Sequence, residues 1–395
     1  MKTRSPYPLD RFLGLEYFIT TTPGIGGKLR TVTKDFVVEE LHGDAVETPG
    51  DYTHFTLEKE NWDGMGAVKA MARALKVSLK RFGFAGTKDK RAVTRQRVSV
   101  WRIEPEELQR LRIKGITLSD FVKSDRRISL GDSLGNRFEI IIRDVDMDPD
   151  KAREIIDETI EQLTERGIPN YFGYQRFGIR RPNTHLVGRE LVKGDLEGAV
   201  MAYLGNPVEG ESEDVQEARR FVQDTRDFKK ALEIFPKRLG YERSMLDALS
   251  KNPRDYAGAL RRLPKKIGRL LVHAYQGYLF NKVLSAMLEE DMEIRGIEIP
   301  LFGYKGEFSS GRQGELEKKI IDDEHTSMRR FHIKAMPELS SAGDQRNACI
   351  STNIGFQLSK EVTDKLKVVV GFELPKGSYA TVVLRELMKS EPLSY

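Results

Sequence analysis

With one cysteine, Cys349, among 395 residues, the chain has no intramolecular disulfide and no thiolate-rich zinc site, a usage that fits a reducing compartment. No apolar run approaches the length of a membrane span. The opening residues, Met1 to Asp10, are polar and broken by proline rather than built as a signal peptide. These absences predict a soluble, cytoplasmic protein. An excess of one charge is nearly missing too: 65 Lys and Arg stand against 60 Asp and Glu, a net +5. Any nucleic-acid surface therefore has to come from clustering. Internal repeats, heptad runs and low-complexity segments are also lacking. What remains is enough chain for two cores, and hence two domains that fold without staples.

The densest chemistry lies in Gly86-Thr87-Lys88-Asp89-Lys90-Arg91-Ala92-Val93-Thr94-Arg95-Gln96, where one carboxylate sits among four cations between two strand-like stretches. Lys88, Lys90, Arg91 and Arg95 favour the charged form of Asp89, which suits a nucleophile or base working near a polyanion. Composition alone leaves a charged surface turn open as well.

Short alternating stretches around Phe36-Val37-Val38 and Tyr52 to Leu57 predict strands. The spacing of Met65, Val68, Ala72, Leu75 and Leu79 predicts a helix over 64–80. Phe82 to Ala85 then reads as a strand leading into the Asp89 loop. In 136–143, Asn136, Phe138, Ile140 and Ile142 share one strand face while Arg137, Glu139 and Arg143 share the other. Asp144, Asp146, Asp148 and Asp150 mimic the start of a calcium loop. Pro149 stands where such a loop needs glycine, and Ile155 where it needs glutamate, so Asp148 is read as a helix cap with Gly167 as the stop. Gly24-Ile25-Gly26-Gly27-Lys28 lacks the glycine spacing and the hydroxyl of a triphosphate loop.

Residues 168–178 pack four aromatics, two glycines and an arginine into a stretch that reads either as a packed hinge or as a stacking surface for RNA. Leu271, Tyr275, Leu279, Val283 and Met287 recur every four residues and are assigned to a helical core. The basic cluster Arg261, Arg262, Lys265, Lys266 and Arg269 is read first as a solvated face. Strand patterns return at Lys367 to Leu374, followed by a glycine turn and a helix-forming segment.

The Asp89 run resembles the catalytic motif of the tRNA pseudouridine synthase D (TruD) family. So do, in the family's order, Gly27-Lys28-Leu29-Arg30 through Asp35-Phe36-Val37-Val38-Glu39-Glu40, then Gly135-Asn136-Arg137-Phe138 and residues 170–178. His273-Ala274-Tyr275-Gln276-Gly277-Tyr278-Leu279-Phe280-Asn281 and residues 374–386 complete the set, so the resemblance spans essentially the whole chain. It departs at Gly277, where serine is more usual. It implies an α+β fold: a mixed or antiparallel pseudouridine-synthase sheet domain from both chain ends, 1–169 plus 351–395, with an inserted, helix-rich TRUD domain at 170–350.

The resemblance further implies isomerisation of uridine 13 in tRNA, with Asp89 as the catalytic carboxylate. Asn136 and Phe138 would hold the flipped base, and Phe36 and Tyr379 would line the same pocket. The family's basic partner for the aspartate falls at Arg30, with Lys28 the other possible register. No metal or redox cofactor is implied, tRNA is the implied partner, and a monomer needing no membrane or second protein is expected. Two other readings stay open at this point: a non-catalytic RNA-binding or tRNA-folding protein, and a synthase with a different RNA target.

Overall fold

The computed structural model describes residues 2–43, 47–361 and 365–392. It divides into two compact units, Thr22–Glu165 with Ser351–Tyr395, and Met1–Thr21 with Arg166–Ile350. This differs from the expected 1–169 plus 351–395 at residues 1–21 and 166–169, which group with the helices. Polar bonds, two of them buried, hold residues 1–21 there. Asn281 Nδ2 donates to the Leu13 carbonyl at 3.0 Å, Ser285 Oγ to the Gly14 carbonyl at 2.7 Å, and Lys282 pairs with Glu16 at 2.7 Å. A buried group left unpaired costs about 1–3 kcal/mol, which ties the segment to these partners.

The first unit is built on an eight-stranded sheet: β1 (Phe36–Leu41), β2 (Tyr52–Glu60), β3 (Phe82–Phe84), β4 (Val93–Trp101), β5 (Ile116–Ser124), β6 (Gly135–Val145), β7 (Gly355–Lys360) and β8 (Leu366–Pro375). The spatial order is β7-β8-β6-β1-β4-β2-β5, with β3 also paired to β4. Only β1 and β4 run parallel; the other neighbours are antiparallel. Strands from both halves of the chain thus share one mixed sheet, and the fold is α+β.

Along β6 the alternation read from sequence is present: Phe138, Ile140 and Ile142 are buried and Asn136 half-buried, while Arg137 and Glu139 are exposed. Phe138 lies opposite Val38 on one side and Phe372 on the other, and Asn136 lies opposite Glu40 and Leu374. On another part of the sheet, helix Gly64–Ala74 starts at Asp63, whose carboxylate accepts from Gly66 N at 2.7 Å. Its Ala67, Val68, Met71 and Ala72 pack with Phe55, Leu57, Val98 and Val100. Each large apolar side chain so buried contributes about 1.5–3 kcal/mol. The helix expected over 64–80 stops at Ala74, since Lys76 takes a left-handed φ of 55° and Leu79 falls in a 3-10 turn. Asp148 caps helix Pro149–Arg166, its Oδ1 accepting from Asp150 N at 3.0 Å and Lys151 N at 3.3 Å, and Gly167 ends it at φ 78°.

The second unit is organised by helix Lys265–Glu289, in which Leu271, Tyr275, Leu279, Val283 and Met287 are all buried. Helix Thr184–Lys193 packs on it through Gly188, where a Cβ would lie 2.0 Å from the Leu271 carbonyl oxygen. Only glycine permits that approach. Tyr171, Phe172, Tyr174 and Phe177 are buried, so residues 170–178 form a packed turn rather than a stacking surface. Arg261, Arg262, Lys265, Lys266 and Arg269 are exposed, and Arg261 pairs with Glu338 at 3.2 Å, as a solvated face does. Among the described residues no helix is long and apolar enough to cross a membrane.

Candidate active site around Asp89

Asp89 stands in the loop between β3 and β4, and the loop is fixed through its backbone. Gly131 N donates to the Ala85 carbonyl at 2.9 Å, Gln96 Nε2 to the Gly86 carbonyl at 3.4 Å, and Ala92 N to the Lys90 carbonyl at 3.0 Å. The anchor at Asp89 itself is Lys59 Nζ, which donates to the Asp89 carbonyl at 2.8 Å and to the Trp62 carbonyl at 2.6 Å. With its backbone held from below, the Asp89 side chain remains half exposed.

The carboxylate's partner is Arg30: Nη2 lies 2.6 Å from Asp89 Oδ2. Lys28, the other register, pairs with Asp144 at 3.0 Å. Arg30 is oriented from three sides. Its guanidinium lies 4.0 Å from the centroid of the Phe36 ring, its carbonyl accepts from Arg91 Nη2 at 3.2 Å, and its backbone adopts a left-handed φ of 56°. Just beyond it, the buried Asp35 accepts from Arg143 Nε at 2.8 and 3.0 Å and from Val32 N at 2.8 Å, pinning the entry to β1. Those bonds and Glu361 hold the Arg143 pKa far above the ordinary arginine value. With one partner half in water, the Arg30–Asp89 pair contributes at most about 1 kcal/mol to stability. Its effect is to orient the carboxylate.

The cations that flank Asp89 in sequence turn elsewhere. Lys88 Nζ donates to Asn136 Oδ1 at 2.6 Å and contacts Glu40 Oε2 at 2.9 Å, outside hydrogen-bond alignment. Arg95 pairs with Glu58 at 2.6 Å, and Lys90 is exposed. Because an ammonium only donates, the Asn136 oxygen must face Lys88, which leaves the Nδ2 hydrogens for another acceptor. Glu40 is buried and Lys88 largely covered, and removing one member of such a pair costs up to about 3–5 kcal/mol.

The rings complete the arrangement. Phe36 meets Phe138 edge-on at 6.3 Å between centroids, and Phe138 meets Phe372 at 5.4 Å. Phe138 is 7% exposed, so only its margin reaches the surface. The structure therefore brings Asp89, Arg30, Phe36, Phe138 and Asn136 into one connected set. Tyr379 is half-buried at the start of helix Ala380–Met388, five residues beyond the Leu374 that faces Asn136.

Sequence reasoning missed Glu40 and Lys59. Both carried a signal: Phe36, Val38 and Glu40 share a parity on β1, as Thr53, Phe55, Leu57 and Lys59 do on β2, so each charge sits in an apolar register. Burial lowers the Lys59 pKa to about 8 despite the opposing pull of Asp89 and Asp63. A lysine kept in a core slot at that cost, with two carbonyls on its ammonium, is a fixture of this loop.

The mixed sheet made from both chain halves thus presents a carboxylate beside an amide and aromatic rings, and comparison with known proteins gives its class as the pseudouridine synthases. The model of the family described as tRNA pseudouridine synthase D (TruD) matches residues 12–298 and 296–387. "Probable tRNA pseudouridine synthase D" of Methanosarcina acetivorans is 37% identical, over 98% of each chain. Its namesake in Methanopyrus kandleri is 42% identical over 87% of this chain and 86% of its own. A crystal structure described as that of TruD from Methanosarcina mazei superposes with a TM-score of 0.86 at 35% identity, covering 99% of this chain and 100% of that one. The chain belongs to the tRNA pseudouridine synthase D family.

Proposed function

We propose that this chain converts uridine 13 of tRNA to pseudouridine, with Asp89 as the catalytic carboxylate. The observation that carries the reading is the Asp89 side chain, half exposed, paired with Arg30 at 2.6 Å, on a loop whose Lys88 holds the Asn136 amide. The reaction is an isomerisation. The bond from uracil N1 to the sugar C1′ breaks, the base turns, C5 bonds to C1′, and the proton lost from C5 is balanced by one gained at N1. A carboxylate beside the sugar serves either of its two routes, attack at C1′ or removal of the C2′ proton.

Reaching the glycosidic bond requires the uridine to leave its stack, at a cost of a few kcal/mol. The site offers compensation: Asn136 Nδ2 donates to a uracil carbonyl, the margin of Phe138 contacts the ring, and Phe36 and Tyr379 line the pocket. The Arg30 guanidinium keeps Asp89 aimed. On this reading the enzyme works as a cytoplasmic monomer on tRNA without an added cofactor. The test uses unmodified tRNA transcripts with position-resolved detection of pseudouridine. Conversion at position 13, lost when that uridine is replaced by cytidine, is the expected result; conversion elsewhere, or none, contradicts it.

A further inference from the structure

Leu130 and Leu134, 68% and 65% exposed, are the most exposed large apolar side chains among the described residues, and the turn that carries Leu130 is bonded to the Asp89 loop. Neither is on a loose segment. Leu130 occupies the corner of a tight turn at 129–132, closed by Asp132 N on the Ser129 carbonyl at 3.2 Å and by Ser129 N on Asp132 Oδ2 at 2.8 Å. Gly131 supplies the left-handed φ of 94° that the turn needs. This turn is fastened to the Asp89 loop by Gly131 N on the Ala85 carbonyl at 2.9 Å, and to the β8 end by Lys376 Nζ on the Gly131 carbonyl at 2.9 Å.

Leu134 extends the pairing of β6 by one residue: its N–H donates to the Leu41 carbonyl at 2.9 Å, and its carbonyl accepts from Lys376 N at 3.3 Å. By strand parity Leu134, Asn136 and Phe138 form one row, with about 7 Å between successive members. The row passes from a covered ring, through a half-buried amide, to an open leucine. Lys90, Arg91 and Lys376 are exposed nearby, where phosphates would pass.

Resting on the reading of the site given above, we propose that Leu134, with Leu130 beside it, is an apolar wedge that enters the RNA stack where the target uridine has been withdrawn. A leucine has no polar atom with which to read a base or hold a phosphate. What it does offer is volume without desolvation cost, and side chains of this kind unstack base steps when a rigid backbone drives them in. The site already requires an emptied position in the stack, and the two exposed leucines sit on backbone bonded to the elements that carry Asp89 and Asn136.

The test compares Asp89→Asn with Asp89→Asn carrying Leu130→Ala and Leu134→Ala, on a tRNA transcript bearing 2-aminopurine next to the target uridine. The wedge predicts a fluorescence rise on binding that falls by at least half without the leucines, while the Kd changes by less than about threefold because phosphate contacts remain. In the chain with Asp89 intact, Leu130→Ala/Leu134→Ala lowers kcat about tenfold, the equivalent of roughly 1.4 kcal/mol, and methionine at both positions restores it. Equal fluorescence and equal kcat, with the wild type active, overturn the wedge and leave the leucines to a protein partner. If the wild type forms no pseudouridine yet the fluorescence still depends on the leucines, the functional reading fails and the wedge contact stands.

Discussion

The loop at residues 85–92 and the turn at residues 170–178 are both short, glycine-bearing and crowded with large side chains, yet the first holds Asp89 half in water while the second buries all four of its aromatics. The difference lies in what each backbone is tied to. In the loop, Lys59, Gln96 and the 129–132 turn take the carbonyls from behind, so that the carboxylate is left outward. In the turn, Asn281 takes the N–H and carbonyl of Phe172 from inside the helical core, and the rings follow inward. A dense motif therefore becomes a site or a joint according to which side its backbone is anchored from.

The largest effect on stability belongs to the turn. Phe177→Ala removes a ring that is fully buried, and it is expected to cost about 3–5 kcal/mol in urea unfolding. Asp89→Asn, by contrast, is expected to change stability by no more than about 1 kcal/mol. If Phe177→Ala unfolds like the wild type, the contrast is lost.

Lys59→Met crosses the comparison, since it alters the loop from the core side. It strands the Asp89 and Trp62 carbonyls, at about 1–3 kcal/mol each. Displacing the carboxylate by an ångström is expected to lower kcat by up to about a hundredfold. KM for tRNA should hardly move, because a fully buried side chain cannot touch RNA. Single-turnover kinetics over a range of tRNA concentrations separate the two, and a rise in KM alone would contradict the positioning role.

The smallest effect, taken per pH unit, is a pH dependence in the helical unit. His185 is buried among Phe12, Phe177 and Tyr278, and burial lowers its pKa to about 3. Between there and its ordinary value near 6.5 the unfolded chain binds a proton that the folded chain does not. Stability therefore falls as pH falls through that window, by up to about 1.4 kcal/mol per unit. Thermal unfolding at pH 7, 5 and 4 checks it; His185→Leu should flatten the slope, and an unchanged slope would assign the acid sensitivity to other groups.

Much of this was legible in the residues. Strand parity placed Asn136 and Phe138 on one face, the Asp148–Pro149 pair marked a helix start, and the four-residue recurrence from Leu271 to Met287 marked a buried helix. Three things were not. The cations beside Asp89 in sequence looked like its partners, but neighbouring residues in a tight loop point apart, and the carboxylate instead meets Arg30 across the fold. The helix end at Ala74 depends on the backbone of Lys76, which no apolar spacing encodes. The aromatic density of 170–178 does not say which way the rings face until Asn281, more than a hundred residues later, is in place.

On the proposed assignment this carboxylate, and not the basic surface around it, performs the reaction. Position-resolved pseudouridine detection in an unmodified tRNA transcript, with tRNA binding measured in parallel, compares wild type with Asp89→Asn. Conversion by the wild type, none by Asp89→Asn, and equal binding by both are expected; conversion by Asp89→Asn, or tight binding without conversion by either protein, would overturn the assignment.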